Sequence, residues 1–347
     1  MISIRISVMS LIAFMALSLL LHACSSKPEV PVPVQQNRVW PSPPAPARVG
    51  FVRTFSHPED LGIKKGFFKL IGEFIMGSEN IEMIRPMSVV VTASKVIYVA
   101  DPGIQGIHRF DTVSGKYSVI RQKEGIPLPS PIALTRASNG DVYVVDSQLA
   151  KIFRIDTKTG YVKPVNLQQG LKQPTGMTID NKDGRYYVID TSAHQLKVFN
   201  ADGTLHKTIG KRGSGNAEFN YPTHIWLDKK GLLYITDSLN FRIQVLDKKG
   251  NFIRKFGQLG DGSGNMSRPK GITTDDKGNI YVVDALFHAL QIFNQQGQLL
   301  LPIGQRGQAV GEFWLPTGIF LSDNGDIYVA DSHNHRVQVF RLLGEPS

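Results

Sequence analysis

Four histidines and a set of loop cations are the residues whose types could do chemistry here. His194, His288 and His335 each stand four residues after an aspartate, and His224 stands two residues after Pro222. Imidazoles titrate near neutral pH and ligate divalent ions, so such a set could move protons or hold a metal. Arg85, Lys211, Arg212, Arg268 and Arg306 add positive charge in Gly-rich segments, which suits an anionic partner. The plainer alternatives are ordinary surface histidines and a solvated basic face. No residue is assigned a catalytic role and no cofactor is expected. A divalent metal is the one open alternative, with His224 as its candidate ligand.

The elements that must position these residues recur along the chain. A Pro-x-small-apolar stretch, an Asn-Gly or Lys-Gly turn, and an apolar-Tyr-x-x-Asp stretch repeat six times. The prolines are Pro86, Pro131, Pro174, Pro222, Pro269 and Pro316, and the aspartates are Asp101, Asp146, Asp190, Asp237, Asp284 and Asp331. One unit reads as short strands separated by turns: Asp326-Ile-Tyr-Val-Ala is rich in strand formers, and Arg336-Val-Gln-Val-Phe alternates. Four short antiparallel strands in a repeat of this length make a propeller blade. An aspartate present in every unit serves the turn that every unit shares, accepting amide hydrogen bonds and pairing with a base five residues on at Lys151, Arg242 and Arg336. Residues that break the repeat, His224 among them, are the informative ones. Its equivalents are Ser88, Ala133, Gly176, Gly271 and Gly318, and a first strand of this kind lines a propeller's axis.

The segments Tyr234–Gly257 and Tyr328–Phe340 resemble NHL repeats. The resemblance runs from Arg48 to about Leu342 and implies an all-β, six-bladed β-propeller. The last repeat stops after its third strand, and Val49-Gly-Phe-Val-Arg-Thr-Phe-Ser56 is similar to the fourth-strand sequence at Asn251–Gly257. Residues 49–56 are therefore expected to complete the sixth blade and close the ring. Peptide-amidating lyases of similar fold carry zinc-binding histidines directly after the strand-opening prolines. Here those positions hold Met87, Ile132, Thr175, Thr223, Lys270 and Thr317, so that zinc pattern is absent.

The N-terminus reads as an address. Arg5 precedes the apolar run Ser7–Leu21, and Leu21-His22-Ala23-Cys24 follows, which reads as a secretory signal. Its ending resembles the lipobox of bacterial lipoproteins, implying lipidation of Cys24 and cleavage before it. Ser25 at the next position implies transport to the outer membrane. Residues 1–23 are thus an expected signal peptide. Residues 24–47, which hold seven prolines, are an expected semi-rigid tether. Residues 48–343 form the expected propeller, interrupted by an insertion at about 57–84 in which residues 64–76 show the spacing of an amphipathic helix.

Composition sets the remaining bounds. Hydrophobic residues make up 41% of the 347, enough for a large core and against wholesale disorder. The single cysteine excludes an intramolecular disulfide and Cys-based metal sites within one chain. A formal charge of +10 would suit nucleic acid, but an exported chain meets envelope components instead. The expected protein is a membrane-anchored binding scaffold of the bacterial envelope, an outer-membrane lipoprotein facing the periplasm or the surface. Its partners would be envelope proteins or anionic polymers, with no nucleic acid. A metal-dependent lyase or lactonase working at the channel mouth is the alternative. Oligomeric state is left open.

Overall fold

The computed structural model describes residues 38–63, 82–122, 126–157 and 160–344. The expected signal peptide, Cys24, the tether as far as residue 37, and the helix expected at 64–76 lie outside the described residues.

Within them the chain forms six antiparallel sheets, each laid out first strand to last from the centre outward. Blade one comprises Ser88–Val91, Val96–Asp101, Gly106–Asp111 and Lys116–Ile120. Blade two comprises Pro131–Arg136, Val142–Asp146, Lys151–Ile155 and Val162–Pro164. Blade three comprises Pro174–Ile179, Tyr186–Asp190, Gln195–Phe199 and Leu205–Ile209. Blade four comprises Pro222–Leu227, Leu232–Asp237, Arg242–Asp247 and Phe252–Phe256. Blade five comprises Pro269–Thr274, Ile280–Asp284, Ala289–Phe293 and Leu299–Ile303.

Blade six is composite. Ile319–Leu321, Asp326–Asp331 and Arg336–Leu342 come from the C-terminal end, and Val49–Phe55 pairs with Arg336–Leu342 as the fourth strand. This is the closure that the sequence predicts. The structure adds a strand to it: Val39–Trp40 pairs outside Val49–Phe55, with Val39 opposite Gly50. The expected tether over 24–47 therefore ends early, because residues 38–47 fold back onto the last blade. Trp40 drives this, its ring meeting Phe340 edge-on at 5.5 Å, and burial of an indole outweighs the preference of the neighbouring prolines for an extended chain.

The second strands are buried on both sides, residue after residue, in blades one, two, three and five. Neighbouring blades cover both their faces, so they read as continuous Val/Ile/Tyr runs with no polar alternation. The fourth strands face water on one side and alternate, as Phe252–Phe256 does. Tyr98, Tyr187, Tyr234 and Tyr281 are among the largest fully buried side chains. The recurring tyrosine is therefore a packing residue between blades.

Candidate functional site

The loop after each second strand and the loop before each first strand lie at the same end of the blade. Antiparallel pairing requires it: Pro222 sits opposite Asp237, and Pro269 opposite Asp284. That end carries most of the residues singled out by sequence.

The six aspartates are fully buried and tie the two loops together. In blade four, Asp237 accepts hydrogen bonds from the Asn220 amide at 2.7 Å, Asn240 at 2.8 Å, Arg242 Nε at 2.8 Å and Gln244 Nε2 at 3.1 Å. Arg242 goes on to the carbonyls of Ser214, Gly215 and Glu218. Blade six repeats this with Trp314, Asn334, Arg336 and Gln338 around Asp331. A buried carboxylate with four donors is satisfied, so these aspartates are architectural. The expected Lys151 partner does not form. Lys151 is exposed, and Asp146 takes the amides of Ser130 and Leu149. A second set of partners, seven residues after the aspartate, was not foreseen: His108, Lys197, Gln244 and Gln338. Their signal was a polar residue in the middle of an otherwise apolar third strand.

The three loop histidines share a backbone duty. His194, His288 and His335 all have positive φ, between 54° and 57°, and their equivalents Gln105, Ala150 and Phe241 are also positive, between 52° and 55°. The position ends a short 3-10 turn in blades three, four and six, and His tolerates left-handed backbone better than most residues. His194 Nδ1 accepts the Tyr221 amide at 3.1 Å, and His288 Nδ1 accepts the Leu315 amide at 3.1 Å. His335 Nδ1 meets the Ile84 carbonyl instead. Each histidine thus docks onto the next blade's incoming loop. Burial, and then the Arg306 charge, holds His288 below the usual imidazole range, which fits a ring nitrogen that must remain an acceptor. The three are not brought together into one ligand set.

The cations fare differently. Lys211 pairs with Glu218 at 3.2 Å, whereas Arg85, Arg212 and Arg268 make no ion pair among the described residues. Arg306 lies 5.8 Å over the Trp314 ring, and His333 packs against the same ring at 5.6 Å. The Gly304–Gly307 loop holds Arg306 firmly. Gly304 has φ of 102°, and a Cβ there would sit 2.5 Å from the Phe313 ring, so only glycine fits. Trp314, beside Arg306, and the exposed Tyr221, whose ring meets that of His194 at 4.6 Å, were missed by sequence reasoning. Both sit one or two residues before a strand-opening proline, at positions without a common residue type.

His224 stands apart from this face. It lines a central cavity of about 720 Å³ that runs to the turns joining first and second strands, toward the opposite end of the blades. Burial, with the Lys270 charge second, lowers its pKa to about 3. Among the described residues, no three His, Cys, Asp or Glu side chains converge on a point that could hold a metal ion. His224 therefore has no ligand set around it among the described residues.

The geometry agrees with the comparisons. The NHL repeat family matches residues 313–340, and a family described as a 6-bladed beta-propeller matches residues 135–232 and 229–290. No curated protein matches the sequence. Among solved structures, virginiamycin B lyase from Staphylococcus aureus is similar at 19% identity and TM-score 0.55, over 76% of this chain and 97% of that one. An auxiliary nutrient binding protein from Bacteroides ovatus is similar at 15% and 0.59, over 76% and 71%. A gluconolactonase from Xanthomonas campestris is similar at 12% and 0.56, over 76% and 89%. At such identities the likeness is one of fold. The chain is a six-bladed β-propeller with an NHL repeat at residues 313–340.

Proposed function

We propose that this protein is a binding scaffold of the bacterial envelope, held to the outer membrane by lipid on Cys24, and that it grips anionic partners with the loop face of its propeller. One observation carries the reading: Arg85, Arg212 and Arg268 make no ion pair among the described residues, while Arg306 is poised over Trp314 on a loop that only glycine permits. Unpaired guanidinium groups on rigid loops are pre-organised for carboxylate or phosphate and lose little entropy on binding. A protein whose loop ends are fixed by buried carboxylates presents such a face without rearrangement. The solved structures of similar fold include proteins named for nutrient binding, which supports a binding role in general terms.

Binding of poly-glutamate, measured against uncharged dextran at rising salt, tests this. The full chain should retain poly-glutamate at low salt, and the Arg212→Gln, Arg268→Gln, Arg306→Gln triple variant should weaken it about tenfold or more with a shallower salt dependence. Equal retention by the triple variant would reject the loop face. The anchor is tested separately: Cys24→Ser should move the protein from the membrane to the soluble fraction of fractionated cells.

A further inference from the structure

The loop face carries more than charge. Three successive loops enter blades four, five and six, over residues 210–221, 257–268 and 304–315. Each closes on itself through one parallel bridge: Arg212 to Phe219, Leu259 to Met266 and Arg306 to Phe313. Phe219, Met266 and Phe313 are fully buried, so the fold needs an apolar residue on that side of the bridge. On the other side it does not, because two of the three loops place an exposed arginine there. Leu259, 64% exposed, is therefore an apolar side chain that packing does not require. Nearer the strand-opening prolines stand the exposed Tyr221 and Arg268 and the half-buried Trp314. Each loop thus brings an exposed arginine and a large apolar or aromatic side chain to the same face. Two of the acids in these loops are held locally: Glu218 takes the Gly215 amide and pairs with Lys211, and Glu312 takes the Ala309 amide and Gln305. Asp261 is the exposed acid among them, against the exposed Arg212, Arg268 and Arg306.

The path of the N-terminal chain points to the same face. Val49–Phe55 runs toward the loops, since Phe55 lies opposite Val337, and the neighbouring Arg336 lies opposite Asp331. Val39–Trp40 is antiparallel to that strand, so the chain arrives at Val39 from the loop-face side. Arg38 accordingly donates a hydrogen bond to the Val310 carbonyl, in the loop that enters blade six. Cys24 stands 14 residues before Arg38, at most about 50 Å of chain. A lipid on Cys24 would hold the propeller by a short connection that meets it from the side of these loops.

We propose that the loop face docks on the membrane that holds Cys24, with Arg212, Arg268 and Arg306 on the phosphates of anionic phospholipids and Tyr221, Leu259 and Trp314 at headgroup depth. The proposal rests on the loop-face and anchor readings above and names the partner. Arginines alone would suit any polyanion, but arginines interleaved with Tyr, Trp and an exposed Leu suit a surface whose charged layer lies directly over apolar chains. A short connection entering from the same side keeps the bilayer at high effective concentration near these loops, so weak contacts suffice.

Co-sedimentation with vesicles tests the face apart from the anchor. Every strand of the six blades lies between Val39 and Leu342, so the chain from Ser25 onward carries the whole fold without the lipid. At low salt it should sediment with vesicles of phosphatidylglycerol and phosphatidylcholine in equal parts, and not with phosphatidylcholine alone. The Arg212→Gln, Arg268→Gln, Arg306→Gln variant should weaken binding to the anionic vesicles at least tenfold. Leu259→Ser changes an exposed side chain and no charge. It should weaken vesicle binding about fivefold and leave poly-glutamate retention unchanged. The proposal is overturned if the anionic vesicles are not bound, if phosphatidylcholine alone is bound as well, or if Leu259→Ser leaves vesicle binding intact or weakens both ligands equally. Retention of poly-glutamate without vesicle binding would reject the membrane and assign the face to acidic proteins, whereas loss of both would reject the loop-face reading with it.

Discussion

Blades four and six hold their aspartates with charge, whereas blades one and two hold theirs with less. Asp237 and Asp331 each receive an arginine, a glutamine and an asparagine besides a backbone amide. Asp101 instead takes the amides of Ile84, Arg85 and Gly103 and a 3.3 Å contact from the buried His108, itself bonded to Tyr117 at 2.8 Å. Asp146 accepts the backbone amides of Ser130 and Leu149. All four carboxylates are nevertheless equally buried. The blade requires the carboxylate to gather the incoming loop, and it leaves open how the remaining lone pairs are met. That is why the repeat is plain in blades four and six and eroded in blades one and two.

The comparison can be broken most sharply by deletion. Asp237→Ala should destabilise the propeller by about 3–5 kcal/mol, since it strands the buried Arg242 without its partner. Asp146→Ala should lose only about 1–3 kcal/mol from unmet amides. Thermal unfolding that ranks Asp146→Ala as the worse would defeat the argument. Next in size, Gly304→Ala should lose more than about 1 kcal/mol through its left-handed backbone, and should slacken the Arg306 loop. This would be visible as faster amide exchange at residues 304–307.

Acid offers a subtler contrast. Burial alone would raise the Asp101 carboxyl, but hydrogen bonds from His108 and from the Ile84 and Arg85 amides lower it below its ordinary value. A depressed folded pKa means that this contribution is fully present above the unfolded value, about pH 4, and disappears as pH falls through the folded one. His108→Phe should therefore shift the onset of acid unfolding upward, read by circular dichroism between about pH 5 and 2. The smallest effect is expected at His194→Gly. It trades the Tyr221 amide cap for relief of positive φ, so unfolding should change by less than about 1 kcal/mol. A larger loss would mean that the loop histidine carries more of the inter-blade contact than its single hydrogen bond indicates.

Much of the fold was legible because a propeller writes its geometry as a period. The strand-opening prolines, the tyrosines that pack between blades and the aspartates at the loops all recur, and the missing fourth strand of the last repeat pointed to Val49–Phe55. Val39–Trp40 was not legible, since a Pro-rich segment reads as extended chain until a partner for Trp40 is known. The candidate site was less readable. The loop positions of His194, His288 and His335 were evident, yet their docking role follows from a left-handed φ and a neighbour 27 residues away in sequence. The pairing of Asp190 with Lys197 rather than with its fifth-position neighbour depends on the third strand's register.

The sequence by itself determined the number of blades, the strand pattern, the closure and the structural duty of the aspartates, because each follows from local periodicity and turn chemistry. Only the tertiary structure decided which cations find an ion-pair partner among the described residues, that His224 leaves the loop face for the central cavity, and that the acids lining that cavity sit at its rim. Those are properties of neighbours brought together from different blades, and a repeat specifies what each blade is without specifying what the next blade places beside it.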